Sequence, residues 1–565
     1  VGFTRLDGLR TGIAFTNRLE GDAFLTNAVA NNGSGVAVGD VDGDGRPDIY
    51  LCALQGPNRL FLNRGDLRFE ERAIGAAACP DQLSTGAVLA DVDGDGDVDL
   101  LVNGIAAGTR FFRNDGRGGF TEGTDSGLSR SATPMSMALA DIDGDGDLDA
   151  FVAGRGVPGR FPEPASSVCL RNDRGTWVRA DAWSAPFRDL GRVSGAVFFD
   201  ADDDGDPDLA VALEWGAIRC WLNQGGRFEE VSTAWGLAAE AGLWNCLAAG
   251  DLDGDGRMDL VAGNAGRNTE YELVQPARLA LVHGPWLGEG TQQAFETWER
   301  GGVWRPFRDR NWLTTIFPDL PQRFPTHRAF GEATEASLLE GRPGRRRRLE
   351  VSVLESSVFL NRGGRFERRP LPREAQESPV FAIAVADLDG DGHEDLVLGQ
   401  NRTGRLSALS RDDNGRGLWL RGEGAGRFRA ALPDAAGFAV EGDQRGVAVL
   451  DADHDGRWDV AISENQGPTR LYRNTGGRPG LRVLLAGPPA NPAGIGAWVR
   501  LRHADGTRGP ARMVLAGSGS GGQDGWHTVL ATPRPATVLE VRWPGGRRQE
   551  VPLEPGVAEV RVQAP

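Results

Sequence analysis

No apolar run in this 565-residue chain approaches the roughly 20 residues that a bilayer span needs, which excludes a membrane-spanning helix. Lysine is absent: all 62 basic residues are arginine, a bias of coding that carries no mechanism. The five cysteines, Cys52, Cys79, Cys169, Cys220 and Cys246, contain no C-x-x-C pair, which argues against zinc and redox chemistry and favours small buried core residues. The six histidines show no H-E-x-x-H spacing, and no G-x-S-x-G elbow occurs, so the sequence names no catalytic residue. The formal net charge of −17 argues against a nucleic-acid partner. Glycine is abundant, at 81 residues, but follows no G-x-y period, which excludes collagen and points to many tight turns between short strands.

What is present is a repeat. Seven segments follow D-x-D-x-D-G-x-x-D or a near relative: DVDGDGRPD (40–48), DVDGDGDVD (91–99), DIDGDGDLD (141–149), DADDDGDPD (200–208), DLDGDGRMD (251–259), DLDGDGHED (387–395) and DADHDGRWD (451–459). Start-to-start spacings run from 50 to 64 residues, except one of 136 between 251 and 387. Short apolar runs flank each loop, such as Gly35-Val36-Ala37-Val38 before and Asp99-Leu100-Leu101-Val102 after. Further on, an apolar segment ends at an asparagine turn, as at Asn63, Asn114, Asn223, Asn361 and Asn474, and an aromatic-led segment follows, as at Phe69 and Phe228. The pattern predicts four short strands per unit, and seven such units describe an all-β, seven-bladed β-propeller. Phe3-Thr4-Arg5-Leu6 resembles the fourth-strand segment beginning at Phe228, and the last unit lacks its own; the N-terminal segment is expected to close the ring.

The loops read as calcium sites. Calcium takes six to eight oxygens in irregular geometry, and alternate Asp residues set short carboxylates on one side of a tight turn. Position 7 offers its carbonyl, so its side chain varies. The expected ligands are Asp40, Asp42, Asp44, Arg46 and Asp48 in the first loop, Asp91, Asp93, Asp95, Asp97 and Asp99 in the second, and Asp141, Asp143, Asp145, Asp147 and Asp149 in the third. Asp200, Asp202, Asp204, Asp206 and Asp208 follow in the fourth, and Asp251, Asp253, Asp255, Arg257 and Asp259 in the fifth. The last two loops offer Asp387, Asp389, Asp391, His393 and Asp395, then Asp451, Asp453, Asp455, Arg457 and Asp459. An EF-hand would need Glu at position 12, where these loops are apolar, and magnesium demands stricter geometry. About seven calcium ions would bring the net charge to about −3. Sites of this kind suit extracellular calcium. The chain begins at Val1, which reads as processed or trimmed, and a removed signal peptide fits a secreted, extracellular or periplasmic protein.

The long gap holds an insertion at about 264–350 with Trp286, Trp298, Trp304, Trp312 and the run Arg345–Arg348. Trp298, Trp304 and Trp312 are the candidate partner-binding residues, since Trp and Arg favour binding hot spots. Residues 284–290 look like a decayed loop without acidic ligands and leave an eight-bladed ring open. From about residue 478 the acidic loops stop, and 478–565 reads as a small separate β domain after the 1–477 propeller. Gly517 to Gly522 formally matches G-x-G-x-x-G, but no amphipathic helix follows it, so no dinucleotide cofactor is expected.

The loops and flanks resemble the FG-GAP/VCBS repeats of integrin α-subunit propellers and of secreted bacterial proteins. The tail resembles the ASPIC/UnbV domain in Gly494-Ile495-Gly496-Ala497, Gly517-Ser518-Gly519 with Gln523, and Val541-Arg542-Trp543-Pro544-Gly545-Gly546. Together they are similar to the cartilage acidic protein family in its bacterial form. That resemblance implies calcium binding and an adhesion or scaffold role for a glycan or protein partner, with no defined reaction. The alternative is an enzyme working on the propeller face, a polysaccharide lyase or hydrolase, or a biosynthetic or self-protection protein of an enediyne pathway.

Overall fold

The computed structural model describes residues 2–19, 31–123, 133–274, 278–288, 291–404, 411–517, 519 and 521–565. Seven antiparallel sheets recur along it, six of four strands and the fourth with a fifth strand, Ala241–Leu243, added to it, each with an acidic loop between its first and second strands. In the first sheet the strands are Val36–Gly39, Asp48–Leu51, Arg59–Asn63 and Phe69–Arg72, paired in sequence order. The first strands of the other six are Leu83–Ala90, Thr133–Ala140, Arg192–Phe199, Cys246–Gly250, Val380–Ala386 and Asp443–Leu450. Each first strand touches the next in this order, and the last touches Val36–Gly39, so the sheets form a closed ring with their first strands innermost.

These inner strands are small and β-branched, as in Val36-Ala37-Val38 and Ala382-Ile383-Ala384, because seven of them converge on one axis. The core lies between sheets. One cluster joins Ile49 and Phe61 of the first sheet to Ala448 and Leu450 of the seventh. Phe3–Leu6 pairs antiparallel with Arg470–Asn474, from Phe3 opposite Asn474 to Leu6 opposite Leu471, so the N-terminal segment supplies the fourth strand of the seventh sheet. That removes an open edge where the chain begins. All five cysteines are free and buried.

The insertion enters between the second and third strands of the fifth sheet and folds as a separate four-stranded sheet. Its strands are Leu279–Gly284, Gln293–Arg300, Val303–Pro306 and Arg347–Val351, and none carries an acidic loop. Four short helices, Arg310–Ile316, Leu320–Arg323, His327–Gly331 and Glu335–Leu339, cover it. Asp309 caps the first of them, accepting from the N–H groups of Asn311 and Trp312. Trp286, Phe295, Leu313, Phe317 and Leu320 fill the core beneath. The expected decayed loop is therefore the end of strand Leu279–Gly284 and a tryptophan buried in this core; Glu289 and Gly290 lie outside the described residues.

The tail folds as two sheets around its own core of Leu481, Val499, Leu501, Leu539 and Trp543. It does not stand clear of the ring. Of the described residues, 511–517, 519 and 521–529 enter the axial channel, and several bond to its inner strands. Gln523 donates its N–H to the Val36 carbonyl at 2.9 Å and accepts from Val38 N–H at 3.2 Å. Its side-chain amide also spans the Leu89 backbone, at 2.9 Å to N and 2.8 Å to O. Leu139 N–H donates to Ala516 O at 3.0 Å, and Gly525 N–H to Val449 O at 2.9 Å. The glycine run makes this approach sterically feasible: a Cβ on Gly519 would lie 1.3 Å from the Leu247 carbonyl oxygen. The G-x-G-x-x-G match is thus part of a backbone plug, with Ser518 and Ser520 outside the described residues.

Candidate metal centre

In every acidic loop but the fourth, the first and ninth residues build a hydrogen-bonded knot; in the fourth the ninth, Asp208, does so alone. In the first loop, Asp40 accepts from Asp44 N–H at 3.1 Å and from Gly45 N–H at 2.7 Å. Gly45 has φ of 85°, a left-handed conformation that favours glycine and turns the chain back over the site. Asp48, fully buried, accepts from Val41 N–H at 2.9 Å and from Asn63 N–H at 2.7 Å. The ninth Asp thus ties the loop's start to the third strand, and Asp99, Asp149, Asp208 and Asp459 make the same pair of bonds.

Carboxylates at positions 1, 3 and 9 converge. One oxygen each of Asp40, Asp42 and Asp48 lies within 4.8 Å of the others, and Asp91, Asp93 and Asp99, Asp141, Asp143 and Asp149, and Asp200, Asp202 and Asp208 repeat the triad. In the fifth loop the group is Asp251, Asp253 and Asp255. Burial, with the neighbouring carboxylates adding to it, pushes Asp48 up to about 7 and Asp99, Asp149, Asp208 and Asp259 up to about 8. Asp91 and Asp141 rise to about 6 for the same reason. Gathering like charges away from water is unfavourable unless a cation or a proton joins them.

A cation fits these residues. Asp42 Oδ1, Asp93 Oδ1, Asp200 Oδ1 and Asp453 Oδ1 are buried and accept no hydrogen bond among the described residues. These are orphaned oxygens in an all-oxygen donor set, which suits a hard cation of calcium's kind. The fifth residue is held differently: Asp44 accepts from Arg46 N–H at 2.9 Å and pairs with the Arg46 guanidinium, and Arg257 with Asp255 and Arg457 with Asp455 do likewise. Arginines from the end of the third strand rest on the third Asp, as with Arg64 on Asp42 at 2.8 Å and Arg473 on Asp453 at 2.7 Å. Arg64 is also paired with Glu70, so the Arg64-Gly65-Asp66 tripeptide presents no free guanidinium. Arginines of the tail reach loops as well, Arg482 to Asp451 at 2.8 Å, Arg542 to Asp200 at 2.7 Å and Arg512 to Glu394 at 3.3 Å.

One functional residue escapes a reading by motif. The asparagine at the end of the third strand looks like a turn former, yet it fastens neighbouring sheets. The Asn114 side chain donates to Val41 O, inside the preceding sheet's loop, at 2.8 Å. Asn172 does so to Val92 O at 2.6 Å, Asn223 to Ile142 O at 2.9 Å, and Asn361 to Ala201 O at 2.7 Å. Asn63 and Asn474 close the ring through Ala452 O at 2.9 Å and Leu388 O at 2.6 Å. The signal is its fixed place: in four sheets it follows the ninth Asp by 15 residues.

The three candidate tryptophans of the insertion are half-buried and do not form one surface. Trp298 pairs across the sheet with Arg305, and Trp304 with Glu299, which sets the two rings on opposite faces. Trp304 is covered by Arg278 at 5.3 Å and Arg348 at 4.4 Å, and Trp312 by Arg308 at 5.5 Å.

The FG-GAP-like repeat family matches at residues 40–102, 91–152 and 200–262. Cartilage acidic protein 1 of Xenopus tropicalis is 35% identical over 92 residues, 15% of this chain and 14% of that protein. The human cartilage acidic protein 1 is 41% identical over 70 residues, 12% of this chain and 11% of that protein. The matched segments therefore span about one-seventh or less of these curated relatives. Among solved structures, Saccharomyces cerevisiae Sqt1 has a TM-score of 0.38 at 8% identity, covering 84% of this chain and 99% of that one. The WD40 β-propeller domain of Doa1 has a TM-score of 0.36 at 10% identity, covering 78% and 93%. The ring of sheets and its loops make this a β-propeller protein. FG-GAP-like repeats occur in three places along the chain, which is similar in part to cartilage acidic protein 1. Among the described residues no helix is long and apolar enough to cross a membrane.

Proposed function

We propose that this chain is a seven-bladed, calcium-binding propeller that serves outside the cell as a binding or adhesion scaffold for a glycan or protein partner. FG-GAP repeats often bind calcium, and the carrying observation is the set of buried, orphaned carboxylate oxygens inside convergent Asp triads. Calcium would be held by the first, third and ninth carboxylates of the first four loops and by the first, third and fifth of the fifth loop. It would neutralise their repulsion and fix the turn between the inner two strands. The ion is structural in this reading: it stiffens a frame on which loops and the insertion present a surface. The tail, read as ASPIC/UnbV-like, belongs to that frame through its plug in the channel.

The test is thermal melting with excess calcium and after chelation, with magnesium as control. A site held at about 100 times its dissociation constant contributes about 2.7 kcal/mol by mass action. Calcium should raise the midpoint strongly and magnesium little. Equal midpoints in calcium and chelator would refute the reading.

A further inference from the structure

The fourth and seventh acidic loops differ from the rest at their fourth position. It is glycine in the other five, with φ of 72° to 78°, a conformation that favours glycine. Asp203 and His454 replace it and keep the left-handed backbone, at φ of 66° and 59°. In four loops the glycine N–H serves the first carboxylate. Gly94 donates to Asp91, Gly144 to Asp141 and Gly390 to Asp387 at 2.8 Å, and Gly254 to Asp251 at 2.9 Å. In the fourth and seventh loops an arginine of the tail stands on that carboxylate instead.

The two loops are gripped alike. Arg542, at the end of strand Ala536–Arg542, pairs with Asp200 Oδ2 at 2.7 Å and with Asp203. Arg482, in strand Leu481–Ala486, pairs with Asp451 Oδ2 at 2.8 Å. In each loop the sixth-position glycine carbonyl accepts a tail glycine N–H, Gly205 O from Gly545 at 3.3 Å and Gly456 O from Gly480 at 2.8 Å. The His454 ring lies 6.4 Å from that of His527 in the tail. The two anchoring strands belong to different sheets of the tail, so each sheet has one anchor. The arginines leave the metal positions open. Arg542 takes Oδ2 of Asp200, a side chain 9% exposed, while Oδ1 accepts no hydrogen bond among the described residues and Asp200 converges with Asp202 and Asp208. In the seventh loop Asp453 Oδ1 is left in the same state. A group that fixes one oxygen of a ligating carboxylate orients the other toward the ion.

We propose that Arg542 and Arg482 are positioning residues that couple docking of the tail to ion loading of the fourth and seventh loops. With the tail seated, the first carboxylates are held for a cation. With the cation bound, those carboxylates and the sixth-position carbonyls are held for the tail. The coupling is reciprocal, as linkage requires. The first three loops hold their first carboxylates with their own N–H groups and load independently of the tail. The proposal rests on the reading of these loops as calcium sites.

The experiment is calcium titration of the full chain against a chromophoric chelator, with hydrogen exchange of residues 480–486 and 536–546 followed in calcium and in excess chelator. Arg542→Met should weaken one site by about tenfold or more and Arg482→Met another, with the remaining sites unchanged. Removing a positive charge beside a cation would by itself tighten the site, so the direction separates positioning from plain repulsion. Asp203→Gly restores the donor seen at Gly94, so its combination with Arg542→Met should recover the lost affinity. In the wild type calcium should slow exchange in both segments by about tenfold or more, and each Met variant should lose that slowing in its own segment. Undiminished or tighter binding in the folded Met variants would overturn the proposal, as would weakening spread over all sites. Should a Met variant not fold, the wild type decides: exchange in both segments that ignores calcium overturns the proposal. A wild-type chain that takes up no calcium would instead remove the loop reading itself, which the titration shows separately.

Discussion

Replacing Asn172 with alanine removes a side chain that serves two sheets at once. Its amide donates to Val92 O at 2.6 Å and to Leu148 O at 3.1 Å, and its oxygen accepts from Gly175 N–H at 2.8 Å. Asn172 itself is fully buried. Alanine therefore leaves two carbonyls and one N–H without this partner. A buried polar group deprived of its bond costs about 1–3 kcal/mol. Relaxation at the Gly175 turn offsets part of that, so the net loss should be about 2–5 kcal/mol. Denaturant unfolding in saturating calcium, followed by far-ultraviolet circular dichroism, measures it. A change within about 0.5 kcal/mol, the usual range of a neutral surface substitution, would refute the interlocking role. The sixth sheet supplies an internal comparison. Gly422 replaces the asparagine there, its N–H bonding Asp395 at 2.7 Å. A Cβ at Gly422 would lie 2.3 Å from Glu394 O, so Gly422→Asn should destabilise rather than add a fastening.

Because the buried ninth carboxyls rise from 3.8 to about 7 or 8, the ion-free protein keeps their stabilising protonated form at low pH and loses that stability as pH climbs toward 8. Ion-free melting should thus be higher near pH 5.5 than near pH 8, while calcium affinity should rise over the same interval with proton release; the opposite trends would contradict it. Gln523→Ala, which unpairs Leu89 N–H and O in the channel, should cost about 1–3 kcal/mol and mark the tail as part of the ring's stability. Trp286→Ala should cost about 3–5 kcal/mol, since that ring is 3% exposed and packs on Phe295 and Phe317. Trp304→Ala should cost less, about 1–2 kcal/mol, through its two arginine contacts; equal losses in the two variants would show Trp304 to be core.

The repeat was legible because its information is local. A nine-residue loop and its flanking strands recur within about 60 residues, and the likeness of Phe3–Leu6 to a fourth strand foretold its pairing with Arg470–Asn474. The asparagine fastening was half legible: its recurrence is plain, but the carbonyl it serves lies 73 residues away for Asn114 and 86 for Asn474. Distance hid the channel plug more completely, since Gln523 meets Leu89 across 434 residues. The sequence excluded a dinucleotide loop at the glycine run there, for want of a following helix, but gave no sign of the strands that the run meets. In the insertion, aromatic content was visible, but which rings pack and which face out depended on the strand register.

The most direct test of the account is a count of tightly bound calcium per chain, by equilibrium dialysis with elemental analysis, in the wild type and in Asp93→Asn. The seven loops predict about seven ions in the wild type and one fewer in the variant, with the other sites retained. A wild-type chain that binds no calcium, or a variant with an unchanged count, would contradict the claim that these loops are cation sites.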